Sequence, residues 1–175
     1  MLKIRRMNEQ NAERLHHLYS EIEPETDDLI FEPGEAGLNT LTNVLKDSVQ
    51  CRSAFFIAEQ DNTDIGFAAI IGHSAIKMNR LAHVIIAVRK EWREHGYGRK
   101  LLVEAEKWAT DNHFFRLEAS IADDNRAALL LFGTSDYHVE GIRQSALFID
   151  DLPKNAFYMA KLIKENLSDR ARMKG

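Results

Sequence analysis

The sequence predicts an α+β domain on one mixed, mostly antiparallel sheet, in the order β-α-α-β-β-β-α-β-α-β-β. Three observations predict it. Between residues 53 and 88, three apolar runs follow one another across short polar turns, the pattern of antiparallel hairpins. Elsewhere apolar residues recur at helical spacing. After residue 96, helices and strands alternate as in crossover units, so parallel pairing enters the same sheet.

Leu2 and Ile4 alternate with Lys3 and Arg5, which suits a first strand. Asn8 is a favoured N-cap for a helix to about Ile22, apolar at Ala12, Leu15, Leu18 and Tyr19. Residues 21–35 carry seven carboxylates and no Lys or Arg, and Pro24, Pro33 and Gly34 make this a loop. A second helix is expected over 36–50. Strands follow at 53–59, 65–72 and 81–88, with turns at 61–64 and 77–80. A helix over 97–110 places Leu101, Leu102, Ala105, Trp108 and Ala109 on one face, and Trp108 reads as core. Phe115, Leu117, Ala119 and Ile121 alternate as the next strand, and Asp123 or Asp124 is expected to cap a helix to about Phe132. Two closing strands fit 137–146 and 156–162, joined by a loop, and a polar tail runs from Lys164.

At 175 residues the chain is long enough for a single well-buried core, here residues 2–163. Its 45% hydrophobic and 29% charged residues are an ordinary globular balance. A net charge of −4 argues against general nucleic-acid binding. Cys51 stands alone, so no internal disulfide is expected, and it reads as a small buried residue. No apolar run approaches a membrane span, and the N-terminus lacks the apolar core of a signal peptide. A cytoplasmic location is the expectation. No His, Cys and Asp grouping has metal-ligand spacing, so no metal is expected.

The most informative segment is Val88 to Leu102, where a strand ends in a charged turn, closes with Arg93-Glu94-His95-Gly96-Tyr97-Gly98, and opens a helix. Glycines let backbone approach a ligand closely. A helix N-terminus supplies unpaired N–H groups and a positive dipole end, a ready phosphate site. A dinucleotide fold would need a third glycine, where Leu101 stands, and a Walker A loop would need Gly-Lys-Ser/Thr, which is absent.

With that turn, the chain resembles the GNAT acetyltransferases (Gcn5-related N-acetyltransferases), whose coenzyme A signature is Arg/Gln-x-x-Gly-x-Gly/Ala. The helix segment Asn125-x-x-Ala128-x-x-Leu131-Phe132 is similar to the family's Asn-x-x-Ala-x-x-Leu-Tyr. Val139-Glu-Gly-Ile-Arg143 is like a sixth-strand motif of the RimJ-like and polyamine-acetylating branches. The resemblance covers about 2–163 and implies the GNAT fold, with central strands splayed apart, often at a bulge. It implies acetyl-CoA as co-substrate, held by amides from Arg93 to Arg99, and main-chain pairing of Ile86, Ala87 and Val88 with the pantetheine arm. Val88 N–H is then the candidate oxyanion donor. Arg89, Lys90, Arg99 and Lys100 are candidates for the phosphates. Asn125, Ala128 and Phe132 would flank the pantetheine or acetyl end.

The implied reaction is direct transfer of an acetyl group to a primary amine in a ternary complex. Its acceptor is a small cationic amine or a peptide N-terminus, which the acidic run would attract. Several members carry a Glu five residues before the conserved Val. Here His83 stands there, and an imidazole can act as base near neutrality. The usual tyrosine acid is replaced by Phe132, which has no hydroxyl. Tyr137, another hydroxyl or water would protonate the thiolate, and water is favoured. The other reading is an inactive acyl-CoA-binding sensor. Family members are often dimers, so a homodimer is an expectation on resemblance alone.

Overall fold

The computed structural model describes residues 1–26, 29, 36–48, 50, 52–149 and 151–163. Cys51, four carboxylates of the acidic run (Asp27, Asp28, Glu32, Glu35) and the tail from Lys164 lie outside them.

Seven strands make one sheet: β1 (Leu2–Arg6), β2 (Ala54–Gln60), β3 (Thr63–Gly72), β4 (Leu81–Val88), β5 (Arg116–Ala122), β6 (His138–Ile149) and β7 (Leu152–Leu162). Their order is β1-β2-β3-β4-β5-β7-β6, and only the β4–β5 pair is parallel. Among the described residues four α-helices flank it: α1 (Ala12–Ile22), α2 (Leu38–Asp47), α3 (Tyr97–Asp111) and α4 (Arg126–Gly133). The order of elements is the expected one.

Local chemistry explains the boundaries. Asn8 does cap, but it caps a short 3-10 turn at Glu9–Asn11 that leads into α1. Asp61 and Asn62 both take positive φ, 50° and 65°, and join β2 to β3 in a two-residue hairpin turn. The cap of α4 is Asn125, whose side chain accepts from Ala128 N–H at 3.0 Å, not Asp123 or Asp124. The closing hairpin is longer than expected, because β6 and β7 pair up to Ile149↔Leu152. Pro153 is accommodated within it because β5 pairs with β7 only as far as Ala156.

The sheet separates two cores. On one side α3 brings Leu101, Leu102, Ala105 and Ala109 onto Ala82, Val84, Leu117 and Ala119. Trp108 packs against this core, with its ring 6.5 Å from Phe56. On the other side α1 and α2 bring Leu15, Leu18, Ile22, Leu41 and Leu45 onto Phe55, Ile57, Phe67, Ala69 and Ala87. Strand β4 therefore alternates between the cores, as period-two geometry requires. The α1–α2 core includes no residue of β5, β6 or β7.

Among the described residues, no helix is long and apolar enough to cross a membrane.

Candidate active site

Strands β4 and β5 pair at only three positions, Leu81↔Arg116, Ala82↔Leu117 and His83↔Glu118. Beyond His83 the two strands part, while β4 stays in unbroken register with β3 up to Gly66↔Val88. The result is a gap along the far half of β4. The bulge expected beside it is not on β4: the register irregularities lie between β2 and β3, at Ala58/Glu59, and between β6 and β7, at Val139/Gly141 and Arg143/Leu147.

Hydrogen-bond alternation decides which backbone groups face the gap. Arg89 N–H donates to Ile65 O at 2.9 Å, in the same register as Gly66↔Val88. Residues 89, 87, 85 and 83 therefore turn their main chain toward β3, and Val84, Ile86 and Val88 turn theirs toward the gap. This corrects the expectation for Ala87. Its main chain is spent on β3 and its side chain is buried in the α1–α2 core. Val88 O accepts from Arg93 Nε at 2.9 Å, so Val88 N–H is the donor the gap is left with at that position.

The glycine turn stands at the open end of the gap. Glu94 and Gly96 take left-handed φ of 64° and 77°, and Gly96 is the N-cap of α3. No side chain caps this helix. The first intrahelical bond is Lys100 N–H to Gly96 O at 3.2 Å, so the amides of Tyr97, Gly98 and Arg99 have no helical acceptor. At Gly98 a Cβ would stand 3.4 Å from Leu131 and 3.8 Å from both Ile86 and Val88. These are ordinary contact distances, so α3, α4 and β4 meet here with room for no more than a methyl group. Uncapped amides over an open glycine turn fit a pyrophosphate, and the gap beside them fits a strand-like arm.

The side chains of this region are less available than the sequence implies. Arg89 is paired with Glu21 at 3.3 Å and Glu91 at 2.9 Å. Arg93 braces Val88 O and stands 3.6 Å from Glu25, whose carboxylate also accepts from Lys90 N–H at 2.5 Å. Arg99 reaches Thr134 at 3.3 Å, and Lys100 packs over the Tyr97 ring. His95 is exposed, with Nδ1 2.6 Å from Arg93 O and its ring stacked on Tyr97. Lys90 is exposed.

His83 shares a face with Ile85 and Ala87, on the α1–α2 side. Burial lowers its pKa below the usual 6.5, opposed by the charge of Glu118 and helped by those of His73 and Arg143. Its rung partner, Glu118, is the one charged side chain among the buried described residues, at 6% exposure. Glu118 accepts from Arg116 Nε at 2.5 Å and from the Tyr158 hydroxyl. Arg116 also forks onto Glu140. Sequence reasoning missed this cluster. Only the Arg-Leu-Glu alternation of β5 hints at it, since Tyr158 lies 40 residues away.

Phe132 is buried, edge-on to Tyr137 at 4.9 Å between ring centroids. Tyr137 is 2% exposed, and burial beside Glu106 pushes its pKa well above the ordinary tyrosine value. It stacks under Lys161, whose rung partner is Leu117, at the level where β4 and β5 are still joined. A phenol buried in the α3 core is a poor acid, which argues against the catalytic role expected of it. The Asn125 side-chain oxygen is occupied in capping α4, with Ala128 as its partner. No group of three or more His, Cys, Asp or Glu that could hold a metal occurs among the described residues.

Residues 51–134 match the acetyltransferase (GNAT) domain model. No curated protein matches the chain at a significant level. Among solved structures, a GNAT-family acetyltransferase from Streptococcus pneumoniae superposes with a TM-score of 0.86 at 21% identity, over 93% of this chain and 100% of that one. Ribosomal-protein-alanine N-acetyltransferase from Brucella melitensis gives 0.83 at 18%, over 92% and 99%. A phosphinothricin acetyltransferase from Sinorhizobium meliloti, in complex with acetyl-CoA, gives 0.84 at 15%, over 95% and 91%. With its parted central strands and glycine turn, the chain has the GNAT fold, and its middle stretch, residues 51–134, is the part that matches the GNAT acetyltransferase domain.

Proposed function

We propose that this protein transfers the acetyl group of acetyl-CoA to a primary amine, directly and within a ternary complex. One observation carries the reading: the gap between β4 and β5, with Val84, Ile86 and Val88 turning their main chain into it, opens beside an α3 N-terminus that no side chain caps. The fold likeness and the domain match support it. So does the Sinorhizobium meliloti structure of the same fold, which holds acetyl-CoA.

Acetyl-CoA supplies an activated acyl group and a thiolate leaving group. The amides of Tyr97, Gly98 and Arg99 would hold its pyrophosphate, with Arg99 and Lys100 nearby. Ile86 and Val88 would pair with the extended arm as an added strand does. Val88 N–H would face the oxygen on which charge develops.

The acceptor must lose a proton to attack, because aliphatic amines are mostly protonated near neutral pH. His83 would take it, directly or through water. Its lowered pKa keeps the imidazole neutral, and so able to accept, at pH 7. Phe132 has no proton to give, and Tyr137 is shut in the α3 core. Water would therefore protonate the thiolate, which is a good leaving group (thiol pKa ~8–9).

A thiol-release assay with acetyl-CoA over amines, polyamines and N-terminal peptides tests the reading. Acetyl-CoA binding with no release above hydrolysis for any acceptor would overturn it, and would favour a binding sensor. That second reading rests on the missing hydroxyl at Phe132. It predicts that Phe132→Tyr creates turnover where the parent protein has none.

A further inference from the structure

Register places His83, Glu118, Tyr158 and Arg143 on one sheet face. His83↔Glu118 is the last rung before the gap. Glu118↔Ala160, Ser120↔Tyr158 and Ala122↔Ala156 continue the face onto β7, and Gly141↔Tyr158 and Arg143↔Ala156 carry it onto β6. These side chains lie just beyond the strands that α1 and α2 cover. A Cβ at Gly141, opposite Tyr158, would meet nothing within 4 Å, so there is room beside the ring. An acceptor reaching the gap from the His83 side passes over this face.

The charges on the face are unevenly committed. Glu118 is held by Arg116 and Tyr158, and Glu140 is forked by Arg116. One guanidinium thus serves both carboxylates, and Arg143 is the second positive charge on this face. Arg143 has no ion-pair partner among the described residues, yet its charge is felt at His83 and at Tyr158. Two acidic residues expected to attract a cationic acceptor, Glu21 and Glu25, are spent on Arg89, Arg93 and Lys90 N–H. What this face offers is one uncommitted guanidinium and a tyrosine oxygen. The Tyr158 hydroxyl proton is given to Glu118, so its oxygen is oriented to accept an N–H.

We propose that the acceptor is an amine bearing a carboxylate, held by Arg143 while Tyr158 Oη accepts from its amine. A guanidinium matches such an oxyanion with paired N–H groups. Tyr158 is the contact to the amine, and Glu118 is a positioning residue acting through it. The inference rests on the acetyl-transfer reading and narrows its acceptor class.

Pairs of acceptors differing only in the acid test it: amino acids against their carboxamides, with a polyamine as control and acetyl-CoA as donor. The acid-bearing member should have the higher kcat/KM, by tenfold or more. Arg143→Gln should erase that preference while leaving coenzyme A affinity unchanged, and Arg143→Lys should restore part of it. Tyr158→Phe should raise the acceptor KM more than it lowers kcat. Equal or better use of carboxamide or polyamine, or equal loss for both members in Arg143→Gln, would overturn the acid-bearing acceptor and leave acetyl transfer standing. Turnover with no amine, despite bound coenzyme A, would overturn both.

Discussion

A buried imidazole loses solvation when it gains a proton, so His83 keeps its neutral form to lower pH than a free histidine. The consequence is readable in a pH–rate profile. The acid limb of kcat/KM, which reports the free enzyme, should fall below the ordinary value of 6.5, and activity should persist as pH drops through it. His83→Gln should remove that limb and lower the rate by about 10²–10⁴, with coenzyme A affinity held. An unchanged profile would remove His83 from the mechanism. Stability follows the same sign: the unfolded chain takes up a proton at higher pH than the folded one. The contribution from neutral His83 is complete above about 6.5 and is drawn down as pH falls below it. The place of His83 was legible from sequence because it depends only on a position along one strand. Glu118 and Tyr158 were not, because their hydrogen bond joins strands 40 residues apart, a pairing no local pattern encodes. Tyr137 misled for the opposite reason: a tyrosine near the end of a helix looks available, and burial in a tertiary core is what denies it.

At the scale of elements, the gap depends on how β3 supports the end of β4. Gly66 lies opposite Val88, and a Cβ there would stand 2.6 Å from Ala87 O and 3.1 Å from Val88 Cα. Backbone cannot swing aside as a side chain can. Gly66→Ala should cost about 1–3 kcal/mol in thermal or denaturant unfolding and weaken coenzyme A binding, since it displaces the stretch that faces the gap. Asn125→Ala should cost about 0.5–2 kcal/mol through the lost cap on Ala128 N–H, measured the same way. The glycine turn was readable because its conformation is local: Gly96 needs a left-handed φ, and the helix follows at once. The length of the last hairpin was not. Pro153 and the polar residues around it read as loop, but Phe148↔Pro153 is a rung beyond the reach of β5, where a missing N–H breaks no interior ladder.

At the scale of the molecule, the two cores share one sheet, so neither side should unfold alone. Both tryptophans, Trp92 and Trp108, pack against the α3 core, whereas Leu15 is buried under α1 on the opposite face. Leu15→Ala should cost about 2–5 kcal/mol, and the loss should appear equally in tryptophan fluorescence and far-ultraviolet dichroism. Separate transitions by the two probes would mean that the cores are independent. The segment after α1 crosses to the glycine turn, and there Glu25 sits on Lys90 N–H and beside Arg93. That N–H lies just past the end of β4, so a ligand running beyond Val88 arrives where a carboxylate already is. The protein thereby carries its own competitor for the mouth of the gap. Glu25→Gln should tighten coenzyme A binding several-fold, because the ligand no longer has to evict a charge. The donor would then have to displace this carboxylate before its phosphates reach the turn.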